Sequence, residues 1–285
     1  MTETSRSADG RVVVVTGANG SAGRAVSERL AADGALVVAA GRSVRQWDSP
    51  RVVPAAVDLL DPDATRRFAD AVLTEHGRVD GLIHLVGGWR GAPSFPGTDL
   101  ADWTFLHDQI VRTLQHTTLA FHDALLAAPS GRFAMVSQPA ARRPDAGSAA
   151  YGAAKAAAET WTLAMAASFA AADTTADAPS DTTNATNTAS ATSAAGVANA
   201  ATAANANSAA NAANADSTVS AADAANAAGA DSAANPASAA TILVVKALVS
   251  EVKPGLTHVD DLAATVAGLW NRPAAELNGH RLDLF

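Results

Sequence analysis

The chain of 285 residues has no cysteine, which excludes disulfides, thiolate nucleophiles and cysteine-held metals and fits a reducing compartment. Nowhere do eighteen apolar residues run together, and the opening MTETSRSADG is polar and without an apolar core. The sequence therefore predicts no membrane span and no signal peptide, and a cytoplasmic protein. Basic residues are outnumbered, 20 Lys and Arg against 28 Asp and Glu, for a net charge of −8. With no basic cluster to override that balance, a nucleic-acid surface is not expected. His107, His116 and His122 share a predicted helix at spacings of nine and six. Those spacings do not place two of them one turn apart on one face, so no metal site is expected.

A second scarcity is local. Residues 171–239 contain no aromatic residue and no Lys, Arg or Glu, and carry six aspartates. A stretch so poor in large apolar groups cannot offset the entropy of ordering it, so it reads as an Ala/Asn/Ser/Thr-rich disordered insertion, with a partner-binding tail as the functional alternative. Residues 1–10 read as a flexible N-terminus. What remains, 11–170 with 240–285, is long enough for one α/β domain.

That domain is organised around Arg11–Gly23, RVVVVTGANGSAG. Four consecutive valines predict a central parallel strand buried on both faces, running into a glycine-rich turn and then a helix closed by Gly34. A helix N-terminus presents unpaired N–H groups and a partial positive charge, which suits a pyrophosphate if side chains stay out of the way. Gly17, Gly20 and Gly23 keep them out, and Asn19, Ser21 and Ala22 complete the predicted cofactor turn.

The rest alternates strand and helix, which predicts a doubly wound parallel sheet, a Rossmann fold. Strands are expected at Ala35–Ala40, Arg51–Val57, Val79–Val86, Arg132–Ser137, Thr241–Leu248 and His280–Leu284. Helices are expected at Pro62–His76, from Leu100 to Ala127, from Ser148 to about Ala170, and at Thr257–Trp270 with Thr257 as its cap. Ligands of such sheets bind where the first and fourth strands diverge.

Tyr151 and Lys155, in YGAAK, stand four apart and project from one helix face. A neighbouring ammonium is expected to lower the phenol pKa and make Tyr151 a usable acid. Tyr151 is also the only tyrosine in the chain. TGANGSAG followed by YGAAK resembles the TGxxxGxG and YxxxK motifs of the short-chain dehydrogenase/reductase family, with Ser21 at the family's middle glycine. The resemblance implies an NAD(P)-dependent oxidoreductase in which Lys155 also holds the nicotinamide ribose and Tyr151 passes a proton to a small-molecule substrate. It further implies a homodimer or homotetramer built on the helices at 100–127 and after Tyr151.

Three family positions differ. Gln138 stands where the catalytic serine is usual, with Ser137 adjacent as the remaining candidate. Ile110 stands at the asparagine position, and His84, Leu85, Val86 and Gly87 replace NNAG, leaving Gly87 as a cofactor contact. These departures keep a second reading open, a catalytically reduced NADP-binding sensor. The short motifs VGGWRG, YGAAK and NRP also resemble dihydropteridine reductase. That resemblance suggests a small carbonyl, quinone or pterin-like substrate, with Trp89 either stacking on a flat ring or anchoring a loop.

Cofactor choice is read at the end of the second strand. An acid there would bind a ribose 2′-hydroxyl, but the sequence is Gly41 followed by Arg42, which favours NADP, with NAD as the alternative. Arg24 is either a second positive contact or a solvated helix residue. Asp58 is either an adenine contact or a cap for the helix at Pro62. His84 reads as a structural histidine or as a catalytic one at the edge of the cleft.

Overall fold

The computed structural model describes residues 8–176, 237–251 and 253–285. The expected flexible start and the expected disordered insertion lie largely outside these residues. The described part carries a seven-stranded sheet in the order β3-β2-β1-β4-β5-β6-β9, every pairing parallel. Its strands are β1 (Val12–Thr16), β2 (Leu36–Gly41), β3 (Val52–Ala56), β4 (Gly81–His84), β5 (Arg132–Ser137), β6 (Ala239–Val244) and β9 (Arg281–Asp283). Chain order reverses between β1 and β4, which opens a crevice at their C-terminal ends. This is the doubly wound Rossmann fold the alternation predicts.

The valines of β1 show why the sheet needs cover on both sides, since all five of its residues are buried. Val14 joins a core with α2 (Pro62–His76), α3 (Leu100–Leu106), α4 (Thr113–Ala127) and α5 (Ala149–Ala176). Val13 and Val15 point the other way, onto α1 (Ser21–Ala32) and α6 (Val259–Ala267). The period-two alternation of a strand thus divides one run of valines between two cores.

Local chemistry sets the helix ends. Asp61 accepts the Asp63 and Ala64 N–H groups at 2.8 and 3.0 Å, Pro62 occupies the first helical turn, and Gly77 closes α2 at φ 74°. These are the features that start and stop a helix. By contrast α1 begins at Gly20 with no side-chain cap, so its first N–H groups face the crevice.

Several expected boundaries differ. The single long helix from 100 to 127 is α3 and α4 joined by a π-helical turn at His107–Arg112. The first residues assigned to the insertion, through Ala176, belong to α5. The strand expected at 241–248 ends at Val244, and Leu248–Val249 (β7) pairs instead with Thr257–His258 (β8) in a separate two-stranded sheet. Thr257 is therefore not a helix cap. Its hydroxyl donates to the Leu284 carbonyl at 2.7 Å, and His258 caps α6 by accepting the Asp260 N–H at 3.2 Å.

At the opposite end of the sheet Arg132 is 4% exposed. Its guanidinium has no carboxylate partner among the described residues and donates instead to four carbonyls, those of Leu269, Gly131, Ala237 and Arg272, at 2.9–3.3 Å. Burial pulls its pKa down to about 10, which leaves it charged at neutral pH. A cation that satisfies this many carbonyls joins the start of β5, the residues entering β6 and the turn after α6.

Candidate functional site

Two adjoining hollows occupy the crevice. One, of about 520 Å³, is lined by Asn19, Arg42, Ser43, Arg45, Asp58 and Gln109 among others. The other, of about 330 Å³, is lined by Ser21, Ala22, Gly23, Trp89, Gln138, Tyr151, Lys155 and Leu248 among others. Gly17, Gly20, Leu85, Val86 and Gly87 line both, so the hollows meet over the glycine turn.

Backbone geometry dictates the glycines. Gly17 has φ 74°, and a Cβ there would lie 2.7 Å from the Leu85 carbonyl. At Gly23 a Cβ would lie 2.3 Å from the Gly17 oxygen, so these two positions hold the turn itself together. Gly20 is different: a Cβ would meet its nearest neighbour at an ordinary 3.5 Å, and the space it keeps open is that of the crevice. A glycine turn with open space above an uncapped helix N-terminus fits a pyrophosphate.

In the larger hollow Arg42 and Arg45 are exposed and have no ion-pair partner among the described residues. Asn19 donates to the Ser43 carbonyl at 2.8 Å and fixes the start of the loop that carries both arginines. A Cβ at Gly41 would lie 2.5 Å from the Asn19 amide nitrogen, so the position where an acid would select against a 2′-phosphate is reserved for glycine. Asp58 faces this hollow and accepts the Leu60 N–H at 3.0 Å. It does not cap α2, because Asp61 does. Arg24 lines neither hollow. It pairs with Glu28 at 2.8 Å and lies over the Trp47 ring.

In the smaller hollow α5 brings Tyr151 and Lys155 together, 4% and 6% exposed. The Lys155 ammonium donates to the Val136 carbonyl at 2.7 Å and lies 5.9 Å from the centre of the Tyr151 ring. The expected lowering of the tyrosine pKa is absent. Burial pushes the Tyr151 phenol up, and with Lys155 turned to a backbone carbonyl no charge offsets that. Burial pulls the Lys155 ammonium down to about 8, against the opposing attraction of Glu159. Tyr151 is thus a protonated phenol that can donate, beside a lysine whose charge is held weakly.

Ser137 does not belong to this hollow. It is fully buried and its hydroxyl donates to Glu159, which also pairs with Arg281 and lies 3.7 Å from Arg142. Gln138, the next residue, lines the hollow in its place. Sequence reasoning missed Glu159, although it stands one further turn along the face of α5 that carries Tyr151 and Lys155. Trp89 is 69% exposed at the mouth, which removes the core-anchor reading.

His84 is a structural histidine. Thr113 donates its hydroxyl proton to the Gln109 carbonyl at 2.8 Å, so it accepts from His84 Nε2 at 3.3 Å. The Thr16 hydroxyl then donates to Nδ1 at 2.9 Å. Burial, with Lys155 adding to it, pulls the imidazole down to about 3, so it is neutral and its nitrogens are both engaged. Ile110 is buried in the core at the π-helical turn. Among the described residues no group of three or more His, Asp or Glu side chains is placed to hold a metal, and no helix is long and apolar enough to cross a membrane.

Comparison with known proteins gives the family and the fold. The family model described as short chain dehydrogenase matches residues 11–195. A short chain dehydrogenase of Pseudocercospora fijiensis is 30% identical over 168 residues, which cover 55% of this chain and 54% of that protein. The chain therefore spans about half the length of that relative. Among solved structures, the 3-ketoacyl-(acyl-carrier-protein) reductase of Brucella melitensis complexed with NADH superposes with a TM-score of 0.68 at 17% identity, covering 97% of each chain. A short chain dehydrogenase from Shigella flexneri complexed with NADP gives 0.67 at 15% identity, covering 98% of this chain and 99% of that one. At these identities the structural likeness speaks for the fold.

Proposed function

The chain belongs to the short chain dehydrogenase family, and from that premise we propose that it is an NADP-preferring reductase of a small carbonyl, quinone or pterin-like substrate. The observation that carries this reading is the pair of hollows joined over the glycine turn, with free guanidinium groups in one and a protonated tyrosine in the other. Gly17, Asn19, Gly20, Ser21, Ala22, Gly23 and Gly87 would hold the dinucleotide, with the α1 N-terminus suited to its pyrophosphate. Asp58, in the larger hollow, would meet the adenosine. Arg42 would be the 2′-phosphate contact, joined by Arg45.

When bound, NADPH supplies the hydride. Tyr151 supplies the proton that converts the substrate C=O to an alcohol, and its raised pKa keeps that proton in place until negative charge develops on the oxygen. Lys155, buried behind it, is positioned to reach the ribose and to carry positive charge next to the phenol as the proton leaves. Leu119 and Leu163, exposed on α4 and α5, lie on the surface through which the chain forms a homodimer or homotetramer.

The test is oxidation of NADPH across carbonyl, quinone and dihydropterin panels by the wild-type protein and Tyr151→Phe. Loss of a positioned acid lowers turnover by about two orders of magnitude, with NADPH affinity unchanged. Equal turnover in the variant, or none in the wild type with any panel member, refutes the reading.

A further inference from the structure

We propose that Gln138 determines substrate specificity by pairing both ends of its side-chain amide with a neutral planar ring, one that carries a secondary amide beside the reducible C=O or C=N. The proposal rests on the reductase reading above and deepens it.

Position comes first. Ser137, at the end of β5, commits its hydroxyl to buried Glu159, so the strand turns its next side chain into the hollow that holds Tyr151 and Lys155. The Gln138 backbone carbonyl accepts the Ala141 N–H at 3.0 Å and opens a short 3₁₀ turn, but its side chain caps nothing. Neither the oxygen nor the nitrogen of its amide has a hydrogen-bond partner among the described residues. A hydroxyl at this position would donate and accept through a single oxygen. A primary amide offers a donor and an acceptor side by side, the complement of the N–H and C=O edge of a cyclic amide.

The other walls agree. Among the described residues Lys155 is the only charged side chain lining this hollow, and it is buried with its ammonium given to the Val136 carbonyl. No guanidinium or free ammonium there is available to a carboxylate, sulfonate or phosphate. Trp89, Val245 and Leu248 supply flat and apolar surface. A planar uncharged ring meets these surfaces, and Gln138 fixes which edge faces inward.

Isatin and N-methylisatin test this directly. Both have a ketone that hydride and one proton convert to the secondary alcohol, but only isatin carries the lactam N–H. Rates with NADPH and calorimetric affinities for the NADP⁺ complex are measured on the wild type, Gln138→Leu and Gln138→Ala. The wild type is expected to prefer isatin about tenfold in kcat/KM and in Kd, the scale of one satisfied hydrogen bond against one left unmade. Both variants are expected to bring that ratio close to one while keeping the thermal shift produced by NADPH. If crowding by the N-methyl group set the ratio, Gln138→Leu would preserve it, and that result overturns the proposal. A wild-type ratio of one with reduction proceeding overturns Gln138 selection and leaves the reductase reading standing. A binding ratio lost in the variants, with neither compound reduced, supports Gln138 and overturns the reductase reading. Neither binding nor reduction overturns both.

Discussion

Replacing Lys155 with methionine should make the apoprotein more stable at pH 7 and less stable relative to wild type as the pH rises. The side chain is 6% exposed and burial brings its pKa from 10.5 to about 8. Below pH 8 it is protonated in both the folded and unfolded chains, and the full cost of burying the charge applies, about 3 kcal/mol at 1.36 kcal/mol per pH unit. Between about 8 and 10.5 the unfolded chain binds more protons than the folded one, so wild-type stability climbs with pH. Above 10.5 the amine is neutral in both states and the cost has gone. Methionine fills a similar volume without charge. It forfeits the bond to the Val136 carbonyl, which offsets about 1 kcal/mol, while Glu159 keeps Ser137 and Arg281. A net gain of about 2 kcal/mol corresponds to a Tm higher by about 4–8 °C in a domain of this size. Thermal unfolding of both apoproteins from pH 7 to 10.5 measures this, with reductase activity lost in the variant throughout. A variant less stable than wild type at pH 7, or a gap that does not close with pH, refutes the reasoning.

The glycine turn separates two substitutions that look alike in the sequence. Gly20→Val places a side chain in the crevice with only ordinary contacts behind it, so it should leave the melting temperature of the apoprotein within a few degrees and abolish the rise produced by NADPH, whereas Gly17→Val forces φ 74° and a 2.7 Å approach to Leu85 and should unfold the protein. Circular dichroism and thermal shift on both variants check this. Arg42→Ala and Arg45→Ala should each weaken NADPH at least about tenfold, the scale of a charge-assisted contact to phosphate, and leave NADH affinity unchanged by calorimetry; equal losses for both cofactors would refute the phosphate assignment.

What could be read without coordinates was what depends on near neighbours in the chain. Four valines, three glycines and a capped amphipathic helix each encode their structure within a few residues, and the strand order follows from their alternation with helices. The fate of Ser137 was not legible. A strand turns successive side chains to opposite faces, so one residue of offset decides whether a hydroxyl meets the crevice or the interior. The deciding partner, Glu159, is 22 residues away and is itself fixed by Arg281 from the last strand, 122 residues further on. The π-helical turn left no mark either, since one extra residue in a helical turn needs no special side chain. The raised pKa of Tyr151 was not legible either, because adjacency at four residues does not reveal that the lysine tip turns to a backbone carbonyl instead.

Arg132 has a use in protein engineering. By binding the carbonyl of Ala237 together with those of Gly131, Leu269 and Arg272, it ties the residues entering β6 to the core. The entry into β6 is therefore held by groups of β5 and of the turn after α6 in addition to the ladder that pairs the two strands. New termini from circular permutation, or a reporter module, attached ahead of Ala237 are therefore expected to leave the crevice at the far end of the strands in place, read as an unchanged thermal shift with NADPH.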